Sequence, residues 1–251
     1  VVTKADVKGL LKKNRNLEGV LVQYENKEYE IHSKIIIGAD GVESRVGRWH
    51  GMKTMTKMNN MESGIQINAK NLRIKKDVCQ FYFGQEVAPG GYLWVFPKTD
   101  TQANIGLAVS GNYSREKPAQ DYLKKFMDRH FPHAEWNNMV AGGIPCNPPI
   151  KQLTKTNLML AGDAGHQVNP LTGAGIANAI QAGRLAGETA SIALNSNGSM
   201  EQTLKIYTKR WYRSRGRFHK SATRLKNTVH GYDDDKLNEL SRMLHDIPKD
   251  D

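Results

Sequence analysis

The chain has 251 residues, 39% of them hydrophobic and 24% charged, with two cysteines and a formal net charge of +11. This composition describes a globular protein able to bury roughly 70% of its unfolded surface, without the apolar run of about 18 residues that a spanning helix needs. Cys79 and Cys146 offer no disulfide framework, and no HxxxH or CxxC spacing occurs, so neither a metal nor a disulfide-rich secreted fold is expected.

Val1–Leu10 lacks the charged-then-apolar order of a signal peptide, which favours a cytoplasmic setting. The chain opens without Met, inside what reads as a strand, and is expected to be the later part of a longer one. Alternating Val20, Val22 and Tyr24, a turn at Glu25-Asn26-Lys27, then Tyr29 and Ile31 predict a β-hairpin. Ile35–Ile37 is a short continuous apolar run of the kind buried in parallel sheets. It ends at Gly38-Ala39-Asp40-Gly41, after which "VESRVGRWHGM" begins as a helix.

From Thr54 to Gly111 the sequence is β-rich and mostly antiparallel: "SGIQINAK", "DVCQFYFG", "GYLWVFPK" and "QANIGLAVS". The third of these carries an aromatic ladder, Tyr92, Trp94 and Phe96, closed by Pro97 and Lys98. Three large aromatics on one face suit a binding wall, with ordinary sheet core as the plain alternative. Lys98 is read either as a contact for a phosphate or flavin oxygen, or as a snorkelling strand-end lysine. Pro118–His130 has helical spacing, and the Gly/Pro-rich "AGGIPCNPPI" reads as a connection.

A second strand–loop–helix unit follows. A buried strand at Leu158–Ala161 delivers Gly162-Asp163-Ala164 to its carboxyl end, where open α/β sheets bind ligands. Pro170 and Gly173-Ala174-Gly175 lead into a long helix starting near Ala174, whose free N–H groups and dipole face that space. His166 in this loop is a candidate proton relay, or merely an exposed histidine. In the earlier turn, Asp40 can take a hydroxyl or amide, and Ser44 and Arg45 can reach a phosphate or carboxylate. The tail from Met200 reads as helical, with its last residues frayed. Within it, Leu204–Lys226 holds nine Lys/Arg and no acid. An anionic membrane surface is its favoured partner, helped by Trp211, Tyr212 and Phe218; a solvated helix face and nucleic acid are the alternatives.

The two loops, "GADGVESRVGRW" and "LAGDAGHQVNPLTGAGIANAIQAG", resemble the DG and GD motifs of flavin-dependent monooxygenase-like proteins. Within that superfamily, "PGGYLWVFPKTDTQANIGLAV" is similar to the geranylgeranyl reductase signature P-x-x-Y-x-W-x-F-P-K followed by V-G-x-G. Pro89, Tyr92, Trp94, Phe96, Pro97, Lys98 and Gly106 match; Ile105 and Ala108 depart, the latter suggesting a differently shaped turn.

The resemblance implies a mixed α/β fold: a Rossmann-like FAD domain, incomplete at its start, with an inserted β-rich substrate domain. The pieces are 1–53 and 150–195 for FAD, 54–149 for substrate, and a helical basic tail at 196–251. Asp163, Gly162, Pro170, Gly173, Gly175, Ile176, Asp40, Gly41 and Val7 are the implied FAD contacts, Val7 lying near the end of the first strand. Tyr92, Trp94, Phe96, Pro97 and Lys98 are the implied substrate contacts. The implied chemistry is reduction of isoprenoid C=C bonds, in archaeal ether lipids or chlorophyll precursors. A hydride comes from reduced FAD, and NAD(P)H or ferredoxin is the electron donor. The family's GxGxxG unit is absent, so this chain alone is expected to hold FAD poorly, and no cysteine role transfers to Cys79 or Cys146. A flavin hydroxylase and a basic non-enzymatic binder are the alternatives. For the reductase, no nucleic acid is expected, and the site is the cytoplasm, or the inner membrane face.

Overall fold

The structure is a computed structural model that describes residues 1–148 and 150–245. The fraying expected at the C-terminus falls largely on 246–251, outside the described residues. The chain forms two compact units, one from Val1–Thr56 and Pro145–Thr223, the other from Lys57–Ile144 and the chain from Arg224 on.

In the first unit, strands β1 (Asp6–Lys13), β2 (Asn16–Tyr24) and β3 (Lys27–His32) form an antiparallel sheet in that order. Glu25 and Asn26 both have positive φ, 48° and 61°, as a two-residue turn matching the strand twist requires. β4 (Ile36–Gly38) pairs in parallel with β11 (Leu158–Leu160), and β10 (Thr154–Lys155) lies antiparallel on the other side of β11. The expected parallel strand therefore exists, but it is short and one-sided: Ile36 is buried while Ile37 is 42% exposed.

Asn157 fastens the hairpin to this sheet. Its side chain accepts from Leu17 N (3.0 Å) and donates to the carbonyls of Leu17 (2.7 Å) and Lys34 (2.9 Å). The helix after Gly41 shrinks to a 3-10 turn at Gly41–Glu43 and the five-residue α1 (Arg45–Trp49). The long α3 (Ile176–Asn195) and α4 (Met200–Val229) pack Leu185, Leu204, Tyr207 and Trp211 against β11. α4 begins in the first unit, and its last turns belong to the second.

The second unit is a five-stranded sheet of order β6-β7-β8-β5-β9. Its strands are β5 (Met61–Lys70), β6 (Gln80–Tyr82), β7 (Tyr92–Pro97), β8 (Gln102–Ser110) and β9 (Glu135–Pro145). One face is apolar. Ile65, Ile67, Leu93, Val95, Ile105 and Leu107 pack there with Leu123, Phe126 and Met127 of α2 (Ala119–His130), as period 2 against period 3.6 dictates. α5 (Asp234–His245) closes the described chain.

Two expectations are corrected here. Ala141–Pro145 is not connection but the end of edge strand β9. Gly142 and Gly143 are tolerated because an edge strand needs few packed side chains, and Gly143 leaves room for the Met61 sulfur. Ala108 shapes no turn, for it lies within β8 opposite Tyr92.

Candidate functional site

The Gly162–Gly175 loop is built on a backbone that only certain residues permit. Gly162 (φ +67°) and Gly173 (φ +66°) occupy the left-handed region, where a Cβ is strained. Asn169 and the turn at Gly173-Ala174 close the loop on themselves: Asn169 N donates to Ala174 O and Gly173 N to Asn169 O, both at 2.9 Å. Pro170 is buried within it. Gly175 is the N-cap of α3, and no side chain caps this 20-residue helix. No acid stands in its first turn, so its leading amides and dipole remain available to a ligand. A Cβ on Gly175 would sit 3.4 Å from Asp163 Oδ1, which places that carboxylate at the helix mouth. Burial holds the Asp163 carboxyl above the usual range, partly offset by His166. Ile176 is 82% and Ile180 68% exposed, an apolar face held out beside the amides.

Behind the loop stands a buried polar network that the sequence did not reveal. Gln167 accepts from Gly162 N (2.7 Å) and donates to Tyr207 Oη (3.0 Å), which donates to Leu160 O (2.8 Å). Asn178 Nδ2 donates to Gln167 O (2.9 Å) and to His219 Nε2 (3.3 Å). Tyr207 and His219 come from α4, so the buried stripe of the basic helix supports the loop. The only sequence signal was Leu204, Tyr207 and Trp211 at helical spacing.

His166 is 2% exposed rather than displayed. Its Nε2 donates to Thr54 O (2.8 Å) and its Nδ1 accepts from Asn147 Nδ2 (3.2 Å), while burial lowers its pKa. Both ring nitrogens are committed to holding the loop, which removes it as a proton relay. Ser44 is likewise not turned to a phosphate: it is fully buried, and its Oγ donates to Ala164 O (3.0 Å). Arg45 pairs with Glu43 at the surface. Asp40 accepts from Val46 N (2.9 Å) through Oδ2 and is otherwise exposed, and Gly41 (φ +73°) forms the turn beside it. Val7 lies at the beginning of β1, opposite Val22, not near the strand's end.

The second site is the outer face of the five-stranded sheet. Pairing puts Tyr92, Ala108 and Gly64 in one row, Trp94, Gly106 and Gln66 in the next, and Phe96, Asn104 and Asn68 in the third. The ladder therefore faces away from the α2 core. Plain sheet core is excluded, because Leu93 and Val95 fill that role at 0% exposure while the three aromatics stay half-buried. Trp94 stacks on Phe96 with centroids 6.0 Å apart, and Phe81 contacts both Tyr92 and Phe96. The indole lies across Gly106, where a Cβ would come within 2.6 Å of the ring, and Nε1 donates to Gln66 Oε1 (3.1 Å). The result is a trough with an aromatic wall over a floor of Gly106, Ala108 and Gly64. Ile144 lies beyond Gly64, since a Cβ there would be 3.1 Å from its Cδ1. Pro97 ends the strand, and Lys98 is exposed.

On α4, Lys209, Arg213, Arg217 and Lys220 are exposed along one stripe beside Phe218, which is 53% exposed. Trp211, expected at an interface, is fully buried against Leu204 and Tyr207. An indole of that size packs into the core where the helix meets β11. No helix among the described residues is long and apolar enough to cross a membrane, and no cluster of metal-ligating side chains occurs among them.

Comparison with known proteins follows this geometry. A geranylgeranyl bacteriochlorophyll reductase-like protein of Thermoplasma acidophilum superposes with a TM-score of 0.93 at 31% identity, covering 97% of this chain and 62% of that one. The halogenase CndH, an FAD-dependent enzyme, superposes at 0.68 with 18% identity, covering 86% of this chain and 53% of that one, which is a likeness of fold. The chain thus has the mixed α/β fold of FAD-dependent oxidoreductases. Residues 60–144 match the geranylgeranyl reductase catalytic domain. Digeranylgeranylglycerophospholipid reductase 1 of Methanococcoides burtonii is 39% identical over 98% of this chain and 60% of its own length. The corresponding reductase of Methanothrix thermoacetophila is 38% identical over 100% of this chain and 63% of its own. The chain belongs to the geranylgeranyl reductase family, and it spans about three fifths of the length of these relatives.

Proposed function

We propose that the complete protein is an FAD-dependent reductase that saturates C=C bonds in the geranylgeranyl chains of archaeal ether phospholipids. The observation that carries this is the trough of residues 64–108: an aromatic wall laid over glycine and alanine, inside the part of the chain that matches the catalytic domain. Its shape suits a flat, branched apolar chain, and its few polar groups stand at one side.

The Gly162–Gly175 loop fits a flavin cofactor, since it offers uncapped helix amides, a carboxylate at their mouth and glycines where a side chain would obstruct. Asp163 would hold the ribitol or pyrophosphate part, and Gly175 and Ile176 the pyrimidine edge. Gly162, Pro170 and Gly173 shape the approach. Asp40 keeps Oδ1 for a hydroxyl beside Gly41, and Val7 is assigned to the adenine end. When bound, FAD supplies the hydride for an unactivated alkene. The chain's residues do the rest. Tyr92, Trp94 and Phe96 hold the alkene flat and exclude water, and Pro97 and Lys98 close the wall towards solvent.

An external reductant, NAD(P)H or ferredoxin, recharges the flavin. The Lys209–Lys220 stripe and Phe218 dock the protein on the anionic inner face of the membrane that holds its substrate. The protein expressed at the length of its relatives is expected to be yellow. It should convert a geranylgeranylated ether lipid to saturated products under reducing conditions, as read by mass spectrometry. Oxygen incorporation into an aromatic substrate would identify a hydroxylase instead.

A further inference from the structure

The trough is not equally open at its two ends. Beyond the Tyr92 row, two residues along β5, stands Glu62 on the same face as Gly64 and Gln66, opposite Ser110. It is 3% exposed, and its Oε1 accepts from Lys226 Nζ at 2.8 Å; Lys226 is 4% exposed. Lys226 lies in the last turns of α4, within the same compact unit. The segment that follows is fastened to the loop before β7: Gln85 N donates to Asp234 Oδ1 (2.6 Å), and Gln85 Nε2 to Tyr232 O (3.3 Å). Val229, His230 and Leu237 meet Phe83, Gly90 and Gly91 there. The end of α4 thus crosses the sheet from β5 to the approach to β7, about 7 Å beyond the Tyr92 row.

The chemistry of the crossing matters. Two apolar side chains would cover this end as stably, because a buried ion pair loses in desolvation most of what it gains in attraction. What a buried pair adds is position. A shift of α4 by even part of a turn would leave two uncompensated charges away from water, a cost of several kcal/mol. An apolar contact would tolerate that shift.

We propose that the Glu62–Lys226 pair is a specificity-determining latch, fixing the blind end of the trough and so the length of isoprenoid chain it accepts; this rests on the reading of the trough given above. Neither residue touches the reacting atoms. They act by setting where the chain must stop.

The test is equilibrium binding of geranyl, farnesyl, geranylgeranyl and geranylfarnesyl alcohols to the full-length flavoprotein, with thermal melts alongside. Wild type is expected to tighten through geranylgeranyl and gain nothing from the longer chain. Glu62→Ala/Lys226→Ala removes both charges and opens the end. It should bind geranylfarnesyl alcohol about tenfold more tightly than wild type, since each further buried methylene adds about 0.8 kcal/mol, and leave geranyl alcohol unchanged. Glu62→Leu/Lys226→Met keeps the end covered and should keep the wild-type profile. If the alanine pair does not fold, Glu62→Gln/Lys226→Ala carries the same comparison. An opened variant with wild-type melting temperature and an unaltered chain-length profile overturns the latch. A wild-type protein that binds none of the four alcohols overturns the trough itself.

Discussion

Ser44 Oγ donates to the backbone carbonyl of Ala164 across 3.0 Å, joining two loops 120 residues apart in sequence. Ser44 itself has φ +43°, an uncommon conformation for a residue with a side chain. Thr54 Oγ1 in turn approaches Ser44 O at 3.4 Å, and Gly47 packs so closely that a Cβ there would lie 2.9 Å from Ser44 Oγ. The conformation is held from several sides, and the two candidate flavin loops are positioned as one body.

Ser44→Ala leaves the Ala164 carbonyl buried without its partner. A loss of about 1–3 kcal/mol is expected from chemical denaturation. In the complete protein the same change should weaken FAD retention, measured by flavin release on dilution. Arg45→Ala, which removes only an exposed pair, should change neither quantity detectably.

Trp94→Ala removes the centre of the trough wall without touching the Gly162–Gly175 loop. In the complete enzyme it should spare FAD binding and impair alkene reduction. Flavin loss instead would make the ladder scaffold. Gly106→Ala is the sharper probe, because its Cβ would meet Ile65 O at 2.5 Å and the Trp94 ring at 2.6 Å. It should cost about 1–3 kcal/mol of stability by overpacking and displace the indole, seen as a shift in tryptophan emission.

Acid should destabilise the fold through its buried histidines. Burial lowers the pKa of His166 and His219, and with Lys226 nearby pushes His230 down to about 4. Below the ordinary histidine value of about 6.5, the unfolded chain takes up protons that the folded one refuses. Stability is therefore full above that pH and falls towards about pH 4, where the His230 contribution levels off. Asp163, raised by burial, works in the opposite sense from the ordinary aspartate range upward. Melting temperature should fall as pH drops through this window, and His230→Gln should make the fall shallower.

The α4 stripe gives a salt-dependent prediction. Lys209→Glu/Arg213→Glu/Arg217→Glu should abolish binding of the complete protein to anionic vesicles in co-sedimentation, with little change in melting temperature, since all three side chains are exposed. Wild-type binding should weaken as ionic strength rises. Binding by the reversed variant equal to wild type would remove the membrane-surface role.

Local chemistry was enough to write much of this fold from the sequence. The Glu25–Asn26 turn, the apolar run at Ile36, the helix at Ala119–His130 and the glycines at 162, 173 and 175 are each decided within a few residues, by backbone sterics and by hydrophobic period. So was the one-sidedness of the ladder, because strand alternation sends Tyr92, Trp94 and Phe96 to a single face. Which face that is depends on partners far away in the chain. Only the pairing of β7 with β8 and β5 shows that the aromatics oppose Gly106 and Gly64, while Leu93 and Val95 take the core. The same limit applies to charge and polarity. Glu62 and Lys226 read as ordinary surface residues until the fold brings them to 2.8 Å in a dry place. Trp211 reads as an interface anchor until α4 packs on β11, and His166 as a free base until Thr54 and Asn147 take both its nitrogens. Sequence determined which conformations each short segment can adopt. Tertiary structure decided which side chains lose their water, and with it which of them remain free to act.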